Sequence, residues 1–97
     1  MQTMFRHARR FDQDINGWDV SRVKDMWETF ANAYEFNQAL SSWDVSGVTT
    51  MHSMFEQAQV FDQSVDSWDV SKVESLAAIF KRSAYNQPLG KWDTSRV

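Results

Sequence analysis

The sequence predicts an α/β solenoid, and three observations predict it. The chain repeats itself with a period of 25 residues. Apolar residues inside each repeat step at helical spacing. A short, loosely alternating segment then closes each repeat before the next one opens.

The repeat is seen first in "WDVS". It runs from Trp18 to Ser21 and returns at Trp43 to Ser46 and at Trp68 to Ser71, with "WDTS" from Trp92 to Ser95. Phe5, Phe30, Phe55 and Phe80 form a second column, and Met1, Met26, Met51 and Leu76 a third. "FDQ" at Phe11, "FNQ" at Phe36, "FDQ" at Phe61 and "YNQ" at Tyr85 form a fourth. The last repeat is one residue short, between Phe80 and Tyr85, where a turn or a helix end absorbs a deletion at low cost. The copies span approximately 1–20, 21–45, 46–70 and 71–94, with the start of a fifth at 95–97. At 97 residues they make a single repeat array.

Each element follows in chain order. Val23, Met26, Phe30 and Ala33 step by three, four and three, the spacing that lines one face of an α-helix. Ser21, Ser46 and Ser71 precede these runs, where an N-cap hydroxyl accepts a free N–H of the first turn. The spacing predicts a helix of roughly 10–12 residues per repeat. The Asp or Asn after Phe11, Phe36, Phe61 and Tyr85 favours a turn that stops it, and Pro88 supports a break. In "ALSSWDV", Leu40, Trp43 and Val45 are expected to point inward from a short strand or extended segment.

One such unit cannot bury its own apolar face, whereas stacked copies can. The stack is expected to be right-handed; if its strands pair it curves with helices outside, because packed helices lie about 8–10 Å apart and paired strands about 4.8 Å, and if they do not pair it is straighter. Trp18, Trp43, Trp68 and Trp92 then become rungs of a buried aromatic column, beside the column of Phe5, Phe30, Phe55 and Phe80. Gln13, Gln38, Gln63 and Gln87 are expected to form a ladder in which side-chain amides bond one another. Neither end carries a polar capping repeat, so the sequence suggests a segment of a longer array or a stack whose ends a partner covers, with end-to-end self-association as a further expectation.

Asp19, Asp44, Asp69 and Asp93 form an acidic column. Three readings stand for it: local acceptors for nearby backbone N–H groups, a strip for a basic partner, or a cation site such as Ca²⁺. Other chemistry is sparse. His7 and His52 share no metal spacing, and no hydrolase, P-loop or dinucleotide motif occurs. No catalytic residue, cofactor or metal ligand set is assigned, and the chain is expected not to be an enzyme. A net charge of −3 argues against nucleic acid. No apolar run is long enough to span a membrane. The absence of Cys excludes a disulfide framework.

Variation between repeats is informative. Gln2, Trp27, His52 and Ala77 share one outward column; Arg9, Tyr34 and Gln59 fill another. A constant interior with a variable exterior suits a binding scaffold. Trp27 and Tyr34, seven residues apart and two turns along one helix, are candidate partner anchors.

The unit is clearest in "MHSMFEQAQVFDQSVDSWDVSKV", Met51 to Val73. It resembles the repeat of BspA-like surface proteins, also described as mycoplasma lipoprotein-associated and palindromic amphipathic. Four copies cover the chain. Thr29, Leu76 and Ile79 depart from the methionine pattern. The resemblance implies bacterial cell-surface or secreted proteins with leucine-rich-repeat-like solenoids and roles in adhesion. The expected function is therefore protein interaction or adhesion at a cell surface. A structural spacer without a specific ligand and a cation-dependent binding module are the alternatives.

Overall fold

The computed structural model describes residues 2–87, 89 and 92. It is compact, with a radius of gyration of 12.0 Å. It overturns the α/β assignment: among the described residues there is no helix and no extended strand, only tight turns and isolated bridges. A helix–turn–strand solenoid, its right-handed helix crossovers and its leucine-rich-repeat-like character all fall with that finding. Among the described residues no helix is long and apolar enough to cross a membrane.

The backbone shows what replaces the helix. In residues 26–36 every other amide closes a tight turn, from Thr29 to Met26 O (3.3 Å), Ala31 to Glu28 O (3.1 Å) and Ala33 to Phe30 O (3.0 Å). The amides between them leave the segment altogether. Met26, Glu28, Phe30 and Asn32 donate to the carbonyls of Thr50, His52, Met54 and Glu56 at 2.8–3.0 Å. A helix would turn all of these groups onto its own chain. Here half of them join one repeat to the next, so the repeats form layers: 2–25, 26–50, 51–75 and the described part of 76–92.

The alternation requires left-handed backbone. Glu28 and Asn32 have φ of 53° and 60°, and the equivalent pairs Thr3 and His7, Ser53 and Gln57, and Ala78 and Arg82 lie between 54° and 62°. None of these is glycine. The left-handed conformation costs roughly 1–2 kcal/mol for a residue with a Cβ. The recurrence of both positions in every layer shows that the interlayer bonds and the buried rings hold them there.

These bonds line up into columns of peptide groups. Thr3 N–H meets Trp27 O, Glu28 N–H meets His52 O, and Ser53 N–H meets Ala77 O. Each link involves the same peptide unit one layer on. Parallel columns run Phe5 to Thr29, Phe30 to Met54 and Phe55 to Ile79, and His7 to Ala31, Asn32 to Glu56 and Gln57 to Lys81. In all three the N–H points toward the later layer. Asp25, Thr50 and Ser75 add single parallel bridges. There, Thr49 N–H returns to Lys24 O and Glu74 N–H to Thr49 O, both at 2.8 Å.

The core lies inside the layers. Met26, Phe30, Ala33, Phe36 and Leu40 are fully buried in one layer, and Met51, Phe55, Ala58, Phe61 and Val65 in the next. The inward residues named here lie three or four apart although successive tight turns advance the chain by two, and Thr29 and Ala31 are buried as well. The helical spacing in the sequence is thus met without a helix. Leu40, Trp43 and Val45 are buried too, without belonging to a strand.

Candidate interaction surface

The layers hold two continuous columns of aromatic rings. Phe5, Phe30, Phe55 and Phe80 follow one another at 5.4, 5.5 and 5.6 Å between ring centroids. Phe11, Phe36, Phe61 and Tyr85 follow at 5.7, 5.8 and 5.8 Å. Within each layer the two rings stack at 4.0–4.4 Å. The near-parallel planes make this offset stacking.

The tryptophans lean on these columns. Trp18, Trp43 and Trp68 tilt against Phe5, Phe30 and Phe55 of their own layers at 5.7, 5.9 and 6.3 Å. Their indole N–H groups act between layers. Trp43 donates to Ile15 O, Trp68 to Leu40 O and Trp92 to Val65 O, each at 2.9 Å. Trp43 and Trp68 are 3% exposed and Trp18 is 44% exposed. Trp18 belongs to the first described layer, and its indole N–H meets no described acceptor.

The glutamines meet a partner that the sequence reading did not foresee. Gln38 Nε2 donates to the backbone O and Oδ1 of Asp12, at 3.1 and 3.0 Å, and Gln63 Nε2 to the same atoms of Asn37 at 3.2 Å. The Asp/Asn position is itself a ladder. Asn37, Asp62 and Asn86 donate their backbone N–H to Oδ1 of Asp12, Asn37 and Asp62 at 2.9–3.0 Å. Gln13 is exposed in the first layer, and Gln87 is half-buried. The period-25 recurrence of "F-[D/N]-Q" carried this signal, but turn chemistry alone does not say that the acceptor serves the next layer.

Asp19 and Asp44 each accept the N–H of the serine two residues on at 3.0 Å and its hydroxyl at 2.6 Å. Asp69 accepts the N–H of Ser71 at 3.0 Å. The serine therefore closes an Asx turn rather than capping a helix. The serine side chain, then its backbone N–H, holds all three carboxyls below their usual range. Asp44 keeps that direction although Asp19 and Asp69 on either side oppose it. No group of three or more metal-capable side chains converges among the described residues. Asp93 lies outside the described residues.

The variable columns sit on the rim of the layers. Trp27 is half-buried, and its backbone N–H is fixed by Asp25 Oδ1 at 2.9 Å. His52 occupies the same position one layer on, also half-buried. Tyr34 is half-buried, and the Arg9 guanidinium of the first layer lies over its ring at 5.5 Å. With no helix, the argument that two helical turns align Trp27 and Tyr34 lapses; they are separate points on the rim of one layer. Arg6 Nε approaches the buried Oε2 of Glu28 at 2.9 Å, an ion pair at contact distance whose alignment falls short of a hydrogen bond. No pocket opens among the described residues.

A layered chain with a repeated interior and a varied rim defines a repeat protein. Over residues 1–97 the chain matches the family described as "Mycoplasma protein of unknown function, DUF285", and it belongs to that family. No curated protein and no solved structure matches it.

Proposed function

We propose that this chain is a non-enzymatic module for protein interaction or adhesion at a cell surface. One observation carries the reading. Positions that face the interior repeat from layer to layer, while the rim changes chemistry at fixed backbone geometry, from Gln2 to Trp27 to His52 to Ala77. A frame held by interlayer bonds presents such side chains at little further entropic cost, which favours binding. Trp27 combines a large apolar surface with a fixed backbone, the character of a residue that anchors an interface. The surface location rests on the resemblance to BspA-like proteins, a finer assignment than the family membership itself.

Photo-crosslinking tests the proposal. A benzophenone amino acid at position 27, and separately at the exposed position Asp14 as control, is exposed to intact host cells and to a panel of purified extracellular-matrix proteins. The expected result is one dominant adduct from position 27 that unlabelled chain competes away and unlabelled Trp27→Ala chain does not. Equal competition by both chains would remove Trp27 from the interface. No competed adduct from either material would overturn the reading.

A further inference from the structure

Asn16 and Gly17 form the one Asn–Gly step in the sequence; the other asparagines precede Ala33, Gln38 and Gln87. Asparagine is thermolabile, and a following glycine leaves the next peptide nitrogen open to the side chain, because no Cβ stands in the way. Residues 17, 42 and 67 are all exposed, so this corner of the layer faces water in each of three layers. The backbone does not require glycine here. No described glycine has a positive φ, a Cβ on Gly17 would meet open space, and Ser42 and Ser67 hold the same position in the next two layers.

The second layer holds the Asn16 side chain. Asn16 Oδ1 accepts the backbone N–H of Ser42 at 2.9 Å, and Asn16 Nδ2 donates to Ser42 Oγ at 3.3 Å. The backbone N–H of Asn16 is fixed in turn by Asp14 Oδ1 at 3.0 Å, an Asx turn. The neighbouring Ile15 O accepts two bonds, from Trp18 N–H at 3.0 Å and from the Trp43 indole at 2.9 Å. Asn16 and Gly17 are therefore the middle residues of a turn whose first carbonyl joins two layers.

We propose that Asn16 is a site of spontaneous deamidation and isomerisation, gated by its bonds to Ser42. In this reaction Gly17 N gives its proton to hydroxide and attacks Asn16 Cγ. The N–Cγ bond forms, the Cγ–Nδ2 bond breaks, and ammonia leaves with a proton from water. The product is a five-membered cyclic imide. Water then opens the ring. Cleavage of the new N–Cγ bond gives aspartate; cleavage of the original peptide bond gives isoaspartate, whose main chain runs through Cβ and Cγ. Water enters and ammonia leaves, with no redox change. Cγ reaches the nitrogen only when the side chain turns away from Ser42, so both interlayer bonds must part first, a local opening of the junction. The two products differ in consequence. Aspartate keeps an oxygen for Ser42 N–H, and Asp66 already stands at this position in the third layer. Isoaspartate adds a carbon to the main chain inside the Ile15–Trp18 turn and displaces the carbonyl that receives the Trp43 indole.

Ageing the intact chain in mildly alkaline buffer, with and without urea, tests this. Peptide mapping by mass spectrometry follows each asparagine, and enzymatic methylation marks isoaspartate. Conversion at Asn16 is expected to lead that at the other asparagines in urea. In the folded chain it is expected to be slower by about tenfold or more, the weight of two interlayer bonds. Ser42→Ala removes the hydroxyl partner and is expected to speed conversion of the folded chain by about threefold, with the rate in urea unchanged. Gly17→Ala is expected to fold normally and to convert more slowly in both conditions. Asn16→Asp is expected to melt near the wild type, and the chromatographically separated isoaspartate chain to melt lower. Equal rates in the folded chain and in urea would overturn the gate, as would a folded Ser42→Ala chain that converts no faster than wild type. An isoaspartate chain as stable as Asn16→Asp would overturn the link between this turn and the Trp43 bond.

Discussion

Trp18 and Trp43 are one residue type at one repeat position, yet they do different work. Trp43 is buried, leans on Phe30 and donates its indole N–H to Ile15 O of the layer before. Trp18 leans on Phe5 in the same way but is 44% exposed. Position in the stack, not the local sequence "WDVS", sets the difference. Trp43→Ala is expected to destabilise the fold by about 3–5 kcal/mol, the cost of deleting a buried tryptophan, and to leave Ile15 O without its indole donor. Trp18→Ala is expected to cost about 1 kcal/mol, because much of its surface is already in water. Urea denaturation of the two variants measures both. Equal losses would show that the tryptophans act within their own layers only. The sequence placed four tryptophans in one column; it did not show that Trp43, Trp68 and Trp92 reach backward by a layer, because the acceptor is a main-chain carbonyl and leaves no mark on residue type.

The turn ladder at "F-[D/N]-Q" shows what an element needs here and why a helix was the wrong expectation. Val23, Met26, Phe30 and Ala33 have helical spacing, and Met26, Phe30 and Ala33 are fully buried as that spacing requires. The tight turns that close at every second residue bury these positions too, together with Thr29 and Ala31. Only the positive φ at Glu28 and Asn32 separates the two, and Glu, Ser, Gln and Ala at these positions do not advertise it. Asn32 and His7 are weak hints at best. The Asp/Asn column was legible as residue type but not as a bond between layers. Asp12, Asn37, Asp62 and Asn86 alternate charge and neutrality along the stack, so no described layer sets a carboxylate directly beside another at this position. Asn37→Asp breaks that alternation while keeping an oxygen that accepts Asp62 N–H. It is expected to destabilise the chain by about 1 kcal/mol at low ionic strength, a Coulomb penalty at the spacing of adjacent layers in a watery dielectric. Near 1 M salt, with a screening length of about 3 Å, most of that loss is expected to vanish. Melting curves at the two salt concentrations decide it. A salt-independent loss would mean that the amide of Asn37 donates a bond the carboxylate cannot make.

Whole-molecule behaviour follows from the direction of the bonds. The amides of Glu28, Phe30 and Asn32, and of Ser53, Phe55 and Gln57, point to the following layer and are locked between two layers, while Thr49 and Glu74 return theirs to the layer before. The repeat itself was plain in the sequence; its polarity was not, since polarity belongs to peptide groups rather than side chains. Hydrogen exchange reads it directly. Glu28, Phe30, Asn32, Ser53, Phe55 and Gln57 are expected to exchange slowly and with similar protection, because opening any of them requires parting two layers. Ala78, Phe80 and Arg82, whose N–H groups meet no described acceptor, are expected to exchange faster, although Phe80 is itself half-buried under its ring contacts. Side-chain burial and amide protection should thus separate at Phe80 and agree at Phe30 and Phe55. If the stack behaves as coupled neighbours, destabilising the first layer with Phe5→Ala is expected to lower protection at Glu28 and Phe30 more than at Ser53 and Phe55. Uniform loss across both layers would instead describe a single cooperative unit, with the ring columns transmitting the damage from end to end.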